Sequence, residues 1–180
     1  MNRATSIYRV LEGAVWRSYT YSCSIQAIGI IECVEALEAK GAGCYSEPIL
    51  PQEFMSKSHE GRTAILRDCE LDMVVTSIFF RSDNCCTDQD VQIACSLPGL
   101  KTLRLSGQGI TAGCLSKLQA AESLVELALY GPQFDDDILQ YLLPLTGIRE
   151  LMFQECSLSD ETVDCIRATR IPGECAISIF

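Results

Sequence analysis

His59 is the only histidine in the chain, so any histidine-dependent catalysis would have to use it. It lies between the polar segments MSKS and EGR. The chain shows no pattern typical of a nucleophile elbow or of a phosphate-binding loop. We therefore predict that His59 lies in an exposed loop, that there are no catalytic residues and that the protein is not an enzyme.

Three consecutive aspartates, Asp135, Asp136 and Asp137, raise the question of a calcium site. They lack the alternating acidic residues and the glycine of a calcium-binding loop. Asp88 and Asp160 stand at nearly equivalent places beside predicted helix starts, where the helix dipole favours a carboxylate. We predict that these aspartates cap helices, and we expect no metal ion and no cofactor.

The eleven cysteines favour neither a disulfide framework nor a zinc site. Their number is odd, no CxxC motif occurs, and the Cys85–Cys86 pair lacks a second pair at zinc-site spacing. No Lys, Arg or His adjoins Cys85 or Cys86 in sequence to lower a thiol pKa. We predict that most cysteines are small apolar core residues, Cys85 included, in a protein of the reducing cytoplasm.

Composition and charge exclude several classes of function. With 180 residues, 48% of them hydrophobic and 21% charged, the chain is typical of one soluble folded protein. A net charge of -10 argues against nucleic acid as a partner but permits a basic protein partner. Arg9, Glu12 and Arg17 interrupt any signal-peptide core, and the apolar stretch 25–37 is shorter than a membrane span, so no membrane attachment is expected.

A hydrophobic pattern repeats through the C-terminal two thirds of the chain. Its reference positions are separated by 25, 24 and 24 residues: Ile78, Leu103, Leu127 and Leu151. Alternation at these sites predicts short strands with one buried face. The remaining predicted core positions are Val75, Phe80 and Cys85; Leu100, Leu105 and Ile110; Leu124, Leu129 and Phe134; Ile148, Phe153 and Leu158.

Each predicted strand is followed by a helical pair of apolar residues at spacing i, i+3. The pairs are Val91/Ala94, Leu115/Leu118, Leu139/Leu142 and Val163/Ile166, with Thr87, Thr111, Asp136 and Ser159 as predicted N-caps and Pro98, Pro144 and Pro172 after three of them. A single strand and helix cannot bury their apolar faces alone, so successive units must stack on one another.

These four copies of L-x-x-L-x-L-x-x-(N/C)-x-L resemble the leucine-rich repeat family over residues 71–180. The resemblance implies an α/β fold: a short right-handed solenoid with a curved parallel sheet inside, helices outside and a closing strand at Ile177 and Ile179. Two segments also resemble small bacterial members of the family: the lead-in VEALEAKGAGCYSE and the closing stretch IPGECAISIF. The asparagine position is occupied by Asp83, Gln108, Pro132 and Cys156, so we do not expect the family's asparagine ladder to be complete.

Residues 1–70 do not repeat, and we predict a helical N-terminal cap and lead-in, followed by the array at 71–180. Ile7, Val10, Leu11 and Val15 indicate an amphipathic helix. A second helix is predicted over residues 24–40, ending at Gly41, and GCYSE then reads as a short strand. The following stretch, residues 46–61, is predicted to be the least structured.

Strand residues between the buried positions must point to the open, concave face of the sheet. The resemblance implies that this face binds a protein partner. Aromatic residues, Met and Arg are also enriched at interface hot spots. The predicted partner-binding residues are Phe79, Arg81, Arg104, Glu126, Tyr130, Glu150, Met152 and Gln154.

An alternative function is self-association through the last strand. The segment AISIF carries no charge and no proline, which are the features that blunt an exposed sheet edge. In that case Ile177, Ile179 and Phe180 would pair two copies of the chain into a homodimer.

Overall fold

The computed structural model describes residues 5–12, 15–68, 70–81, 85–169 and 175–180. The fold is mixed α/β. Its strands and helices, in chain order, are β1 (Thr5–Glu12), β2 (Val15–Cys23), α1 (Ile25–Ala39), β3 (Gly43–Pro48), α2 (His59–Asp68), β4 (Glu70–Leu71), β5 (Met73–Phe79), α3 (Asp88–Ser96), β6 (Thr102–Leu105), β7 (Glu126–Tyr130), α4 (Leu139–Leu142), β8 (Glu150–Gln154), α5 (Asp160–Thr169) and β9 (Ala176–Ile179), with 3-10 helices at Phe54–Ser56, Ala112–Ala120 and Asp136–Ile138.

The chain divides into two compact units. The first contains the described residues of Met1–Cys33 and Ser46–Val74, and the second contains those of Val34–Tyr45 and Val75–Phe180. In the described parts of both units, every helix is too short or too polar to traverse a bilayer.

The first unit is built on a strand pair where the sequence predicted a helix. β1 and β2 are antiparallel, with Ile7 opposite Thr20 and Val10 opposite Arg17, and β4 pairs with β2 in parallel. The predicted helix of Ile7, Val10, Leu11 and Val15 is therefore wrong. Both segments are rich in β-branched and aromatic residues, and that composition outweighed a helical spacing that rested on only four positions.

The second predicted helix and its stop are confirmed. α1 covers Ile25–Ala39, and Gly41 follows it with φ 94°. The Gly41 N–H donates to Glu38 O at 2.9 Å, and the Ala42 N–H donates to Leu37 O at 3.1 Å. This is the hydrogen-bond pattern with which a left-handed glycine closes a helix. The predicted short strand is also present, as β3.

The stretch predicted to be least structured contains a 3-10 helix and the start of α2. His59 is the first residue of α2, so its predicted place in a loop is wrong. Ser58 precedes this helix, and its hydroxyl accepts from the Gly61 N–H at 3.4 Å. Glu60 lies in the first turn, where the helix dipole favours a carboxylate. These start signals are present in the sequence, but the surrounding polar residues obscured them.

An open six-stranded sheet has the order β3-β5-β6-β7-β8-β9. Neighbours from β5 to β9 are parallel, and their register aligns Ile78, Leu103, Leu127, Leu151 and Ile177 across five strands. The register predicted from the repeat is therefore confirmed. Because a slip of one residue would turn every one of these side chains to the other face, the period of 24 or 25 residues is sufficient to set it.

The covered face of this sheet contains the predicted core except for two residues, Cys85 and Leu158, of which Leu158 is half-buried. The reference residues Ile78, Leu103, Leu127 and Leu151 are at most 1% exposed. Cys85 is exposed, and its neighbour Cys86 is buried instead. Cys86 precedes Ile110 by 24 residues, as Ile110 precedes Phe134. The extra residue of the 25-residue step therefore falls between Ile78 and Cys86, which moves the core position by one.

Helical segments connect successive strands, although only some are α-helical. The residues of the predicted pairs are buried, except for Leu139, which is half-buried. The connections differ in helix type: α3 and α5 are α-helices, whereas Ala112–Ala120 is a 3-10 helix. Thr87, Thr111 and Ser159 stand at the predicted N-cap positions. Asp135, not Asp136, caps the third segment by accepting from the Asp137 N–H at 3.1 Å. The predicted positions Asp83 and Pro172 lie outside the described residues.

The turns after β6, β7 and β8 share a residue with positive φ. Gly107, Gly131 and Glu155 follow one another at 24-residue spacing, and all have positive φ, of 120°, 113° and 57°. Glycine adopts this conformation without strain, whereas Glu155 adopts it against the steric preference of a residue with a Cβ. The same turn position is therefore occupied twice by the favoured residue and once by a strained one.

Side chains at these turns connect neighbouring repeats, at or near the positions where the sequence pattern has no asparagine. The Gln133 Nε2 amide donates to Gly107 O of the preceding repeat at 3.4 Å and to Tyr130 O at 3.1 Å. The Cys156 thiol donates to Leu129 O at 3.3 Å. Gln133 stands one residue after Pro132, the template's asparagine position, so the link is displaced along the chain.

Candidate binding face of the sheet

Alternation along β5 to β8 separates the covered core from the predicted binding residues. Met152 pairs with Ala128, and Ala128 with Arg104, which in turn pairs with Phe79. Tyr130 pairs with Gln154, and Glu126 pairs with Thr102 and Glu150. Arg81 lies two residues beyond β5. Arg81, Arg104 and Glu150 are exposed, whereas Phe79, Glu126, Tyr130, Met152 and Gln154 are half-buried.

An aromatic cluster with one cation occupies the β3–β6 side of this face. The Arg104 guanidinium lies 4.9 Å from the centroid of the Phe79 ring, within cation–π range. The Tyr45 ring meets Phe79 edge-on at 5.4 Å between centroids, and Tyr45 is 62% exposed. Sequence reasoning missed Tyr45 as a site residue. The signal was present, since Tyr45 lies in a predicted strand, but no repeat showed which strand β3 would adjoin.

A shallow hollow lies beside this cluster, above Ala128. Ala128 is 5% exposed and stands between Arg104 and Met152 in the sheet, where its small side chain leaves a depression. The Tyr130 hydroxyl donates to the Met152 sulfur at 3.5 Å, which fixes both side chains next to the hollow. The side chains and backbone that line the hollow belong to Thr102, Arg104, Glu126, Leu127, Ala128, Glu150 and Met152.

Two carboxylates stand side by side at the rim of the hollow. Glu126 and Glu150 are register partners on the neighbouring strands β7 and β8. The Thr102 hydroxyl donates to Glu126 Oε2 at 3.0 Å. In the portion of the chain that is described, no basic side chain lies within 4.0 Å of either carboxylate. The face thus combines an aromatic platform with a cation, a hollow and two uncompensated negative charges.

The aspartates beside the helix starts connect neighbouring repeats. The sequence predicted only that they cap helices. The Asp88 carboxylate accepts from the Thr111 N–H at 2.7 Å and from the Thr111 hydroxyl at 2.6 Å, across 23 residues of sequence. Asp136 accepts from the Ser159 N–H at 2.8 Å in the equivalent place. That backbone hydrogen bond is the main reason why the pKa of Asp136 lies below its ordinary value. Of the described His, Cys, Asp and Glu side chains, no group of three is placed to hold a metal ion.

The cysteine pair lies beside a lysine that its sequence neighbours did not indicate. The Cys85 N–H donates to Lys40 O at 3.1 Å. Burial, with a further contribution from the charge of Asp90, raises the pKa of the Cys86 thiol, although Lys40 opposes the shift. Burial also raises the pKa of Cys95 to about 12. A protonated thiol is a poor nucleophile, so the buried residues Cys86 and Cys95 act as packing groups.

Lys40 itself holds the buried carboxylate of Asp90. The distance from Lys40 Nζ to Asp90 Oδ1 is 2.6 Å, and the Asp90 side chain is 4% exposed. Asp90 also accepts from the Thr87 N–H at 2.9 Å and from the Thr87 hydroxyl at 3.0 Å, which completes a capping box on α3. Burial alone would raise the pKa of Asp90, but the hydrogen bonds from Lys40 and Thr87 outweigh it and lower the pKa.

The last strand, β9, lies at the edge of the sheet in the described part of the chain. Ile177 is half-buried, while Ile179 and Phe180 are 42% and 75% exposed. The Phe180 N–H donates to Phe153 O at 3.0 Å, and Phe180 O accepts from the Glu155 N–H at 3.1 Å. These residues therefore join the sheet on one side only, as far as the described residues show.

No protein-family model matches this chain, and no curated protein shows significant sequence similarity to it.

Proposed function

We propose that this protein is a non-catalytic interaction module that binds a protein partner on the open face of β5 to β8. The observation that carries the proposal is the open face itself. Parallel sheets are normally covered on both faces. Here one face is covered by core, and the other presents the exposed side chains of Arg104 and Glu150 beside Phe79, Tyr130 and Met152.

The same observation supports the leucine-rich repeat resemblance. Five parallel strands follow one another in chain order, each separated by a helical connection, and their reference residues form a continuous ladder. Stacked repeats of this kind form a solenoid, in which one sheet face stays free for binding. We propose a short right-handed solenoid of this family, located in the cytoplasm and without a cofactor.

The charge of the chain narrows the class of partner. With a net charge of -10, the molecule would repel phosphate backbones, which supports a protein partner over nucleic acid. The exposed and half-buried side chains on the face are of the kinds that dominate interface hot spots, namely aromatic, Met and Arg side chains.

A random linear peptide library displayed on phage and selected against the folded chain tests this proposal. We expect selected peptides to lose binding to a double variant, Met152→Glu with Tyr130→Ala. A matched control, Leu143→Glu with Tyr141→Ala, makes the same kinds of change around α4 and should bind normally. Thermal unfolding must show that both variants are folded. Peptides that bind both variants equally well would contradict a binding function for this face.

Self-association through β9 is the alternative function. It is favoured by the edge position of β9 and the exposure of Ile179 and Phe180, because an unpaired, uncharged strand edge can pair with a second copy. Light scattering under reducing conditions over a range of concentrations tests it. A dimer that Ile179→Lys converts to a monomer supports this function, and a monomer at every concentration contradicts it.

A further inference from the structure

The in-register pair Glu126 and Glu150 is unfavourable for the sheet itself. Adjacent strands lie about 4.8 Å apart, so like charges on register partners destabilise the pairing. Neither carboxylate has a basic partner within 4.0 Å among the described side chains. Local choices that work against the fold are expected at functional sites, where binding compensates for them.

The surroundings of the pair suit a long side chain that ends in a cation. The hollow above Ala128 lies next to both glutamates, and Met152 forms another part of its wall. The methylene groups of a lysine or arginine could pack against Ala128 and Met152 while the charged end reaches the carboxylates. Arg104 also lines the hollow, but its guanidinium lies over the Phe79 ring, on the β5 side of β6, and none of its nitrogens is within 4.0 Å of either carboxylate.

We propose that Glu126 and Glu150 recognise a lysine or arginine side chain of the protein partner, seated in the hollow above Ala128. This inference rests on the proposed function of the open face and adds the chemistry of its ligand. The Arg104 guanidinium, which lies over Phe79 on the side of β6 away from the glutamates, would then face an acidic or carbonyl group of the same partner. The resulting specificity is for a segment with a basic residue next to an acceptor.

The test uses the individual peptides obtained by selecting the phage library against the folded chain. Each binder that depends on the open face is synthesised with its basic residue intact and with that residue replaced by norleucine or citrulline. These replacements retain most of the side chain and remove the charge. Affinities are measured for the natural chain, for Glu126→Gln with Glu150→Gln, and for a control pair of exposed residues, Glu122→Gln with Glu161→Gln.

We expect the uncharged peptide to bind the natural chain at least about tenfold more weakly, as is typical when a charged hydrogen bond is lost. The same replacement should have no effect on binding to the Glu126→Gln, Glu150→Gln variant. It should have its full effect on the control pair. Affinity for the natural chain should also fall as salt is raised.

Two results would overturn the inference, and they differ in what they say about the face. Peptides that need the open face but carry no required basic residue, or that bind the double glutamine variant normally, overturn the inference and leave the proposed function standing. A selection in which no peptide depends on the open face overturns both. Thermal unfolding of the glutamine variants excludes a folding defect, since glutamine retains an acceptor for the Thr102 hydroxyl.

Discussion

The two faces of the same sheet obey different rules. On the covered face, the register partners Ile78, Leu103, Leu127 and Leu151 are all aliphatic and buried. On the open face, one position along, the partners are Phe79, Arg104, Ala128 and Met152, which differ in size and charge.

The difference reflects what each face must do. The covered face packs into a continuous core, where side chains must fit closely against one another, so every repeat must present nearly the same shape. The open face meets no such requirement, and its residues are free to differ. A variable surface on a uniform scaffold is what a binding module needs, because specificity can change there without loss of the fold.

Neighbouring residues of β8 offer the strongest way to break this comparison. Leu151 and Met152 are similar in size but lie on opposite faces, fully buried and half-buried. We expect Leu151→Ala to lower the free energy of unfolding by about 3 kcal/mol, because it leaves a cavity in the core. Met152→Ala should lower it by less than about 1 kcal/mol. Urea unfolding measures both values, and equal losses would show that the two faces are not different in kind.

Asp90 tests the rule that the covered side tolerates a polar group only when its partners are present. Asp90→Asn should lower the free energy of unfolding by about 2 kcal/mol at neutral pH, because hydrogen bonds to a charged group are lost. The folded state lowers the pKa of Asp90, so the stabilisation is complete above the unfolded value of about 3.9 and is lost as the pH falls through the folded value.

The Asp90 prediction is therefore checked by unfolding at several pH values. The difference between the natural chain and Asp90→Asn should be constant from neutral pH to about 5 and should shrink below about 4. A difference that grows on acidification would contradict the assigned direction of the pKa shift. Glu122→Gln, at an exposed position, serves as a control for the general effect of removing one carboxylate.

The smallest expected effect concerns the turn that returns the chain from the sheet. Glu155 has φ 57° at the turn position where the two preceding repeats have glycine, Gly107 and Gly131. Glu155→Gly should raise the free energy of unfolding by about 0.5–1 kcal/mol, because the strain of a left-handed residue outweighs the flexibility that glycine adds to the unfolded chain. The converse change, Gly131→Ala, should destabilise, since Gly131 has φ 113°, a conformation that a residue with a Cβ adopts only under strain. A loss of stability in Glu155→Gly would show that the three turns are not equivalent.

Periodicity explains which parts of the fold were predictable. A repeat gives several independent readings of each position, so chance matches in one unit are corrected by the others. The register of β5 to β9 was predicted for this reason. The segment of β1 gave one reading only, and its helical spacing was misleading. Cys85 failed at the one step of the repeat that has an extra residue.

The candidate site was predictable only in its placement. Alternation put Arg104, Glu126 and Met152 on one face, and their exposures agree. What they touch was not predictable, because β3 lies outside the repeat and brings Tyr45 to Phe79 from a separate part of the chain. The hollow above Ala128 likewise depends on the side chains of three strands together.

The amino-acid sequence by itself determined the strand spacing, the register and the division of each strand into a buried and an open side. These follow from local alternation and from a period, both of which are properties of a linear pattern. Tertiary structure alone decided which groups outside the repeat meet the repeat: Lys40 with Asp90, and Tyr45 with Phe79. Such contacts depend on how separate segments pack in three dimensions, and no spacing along the chain encodes them.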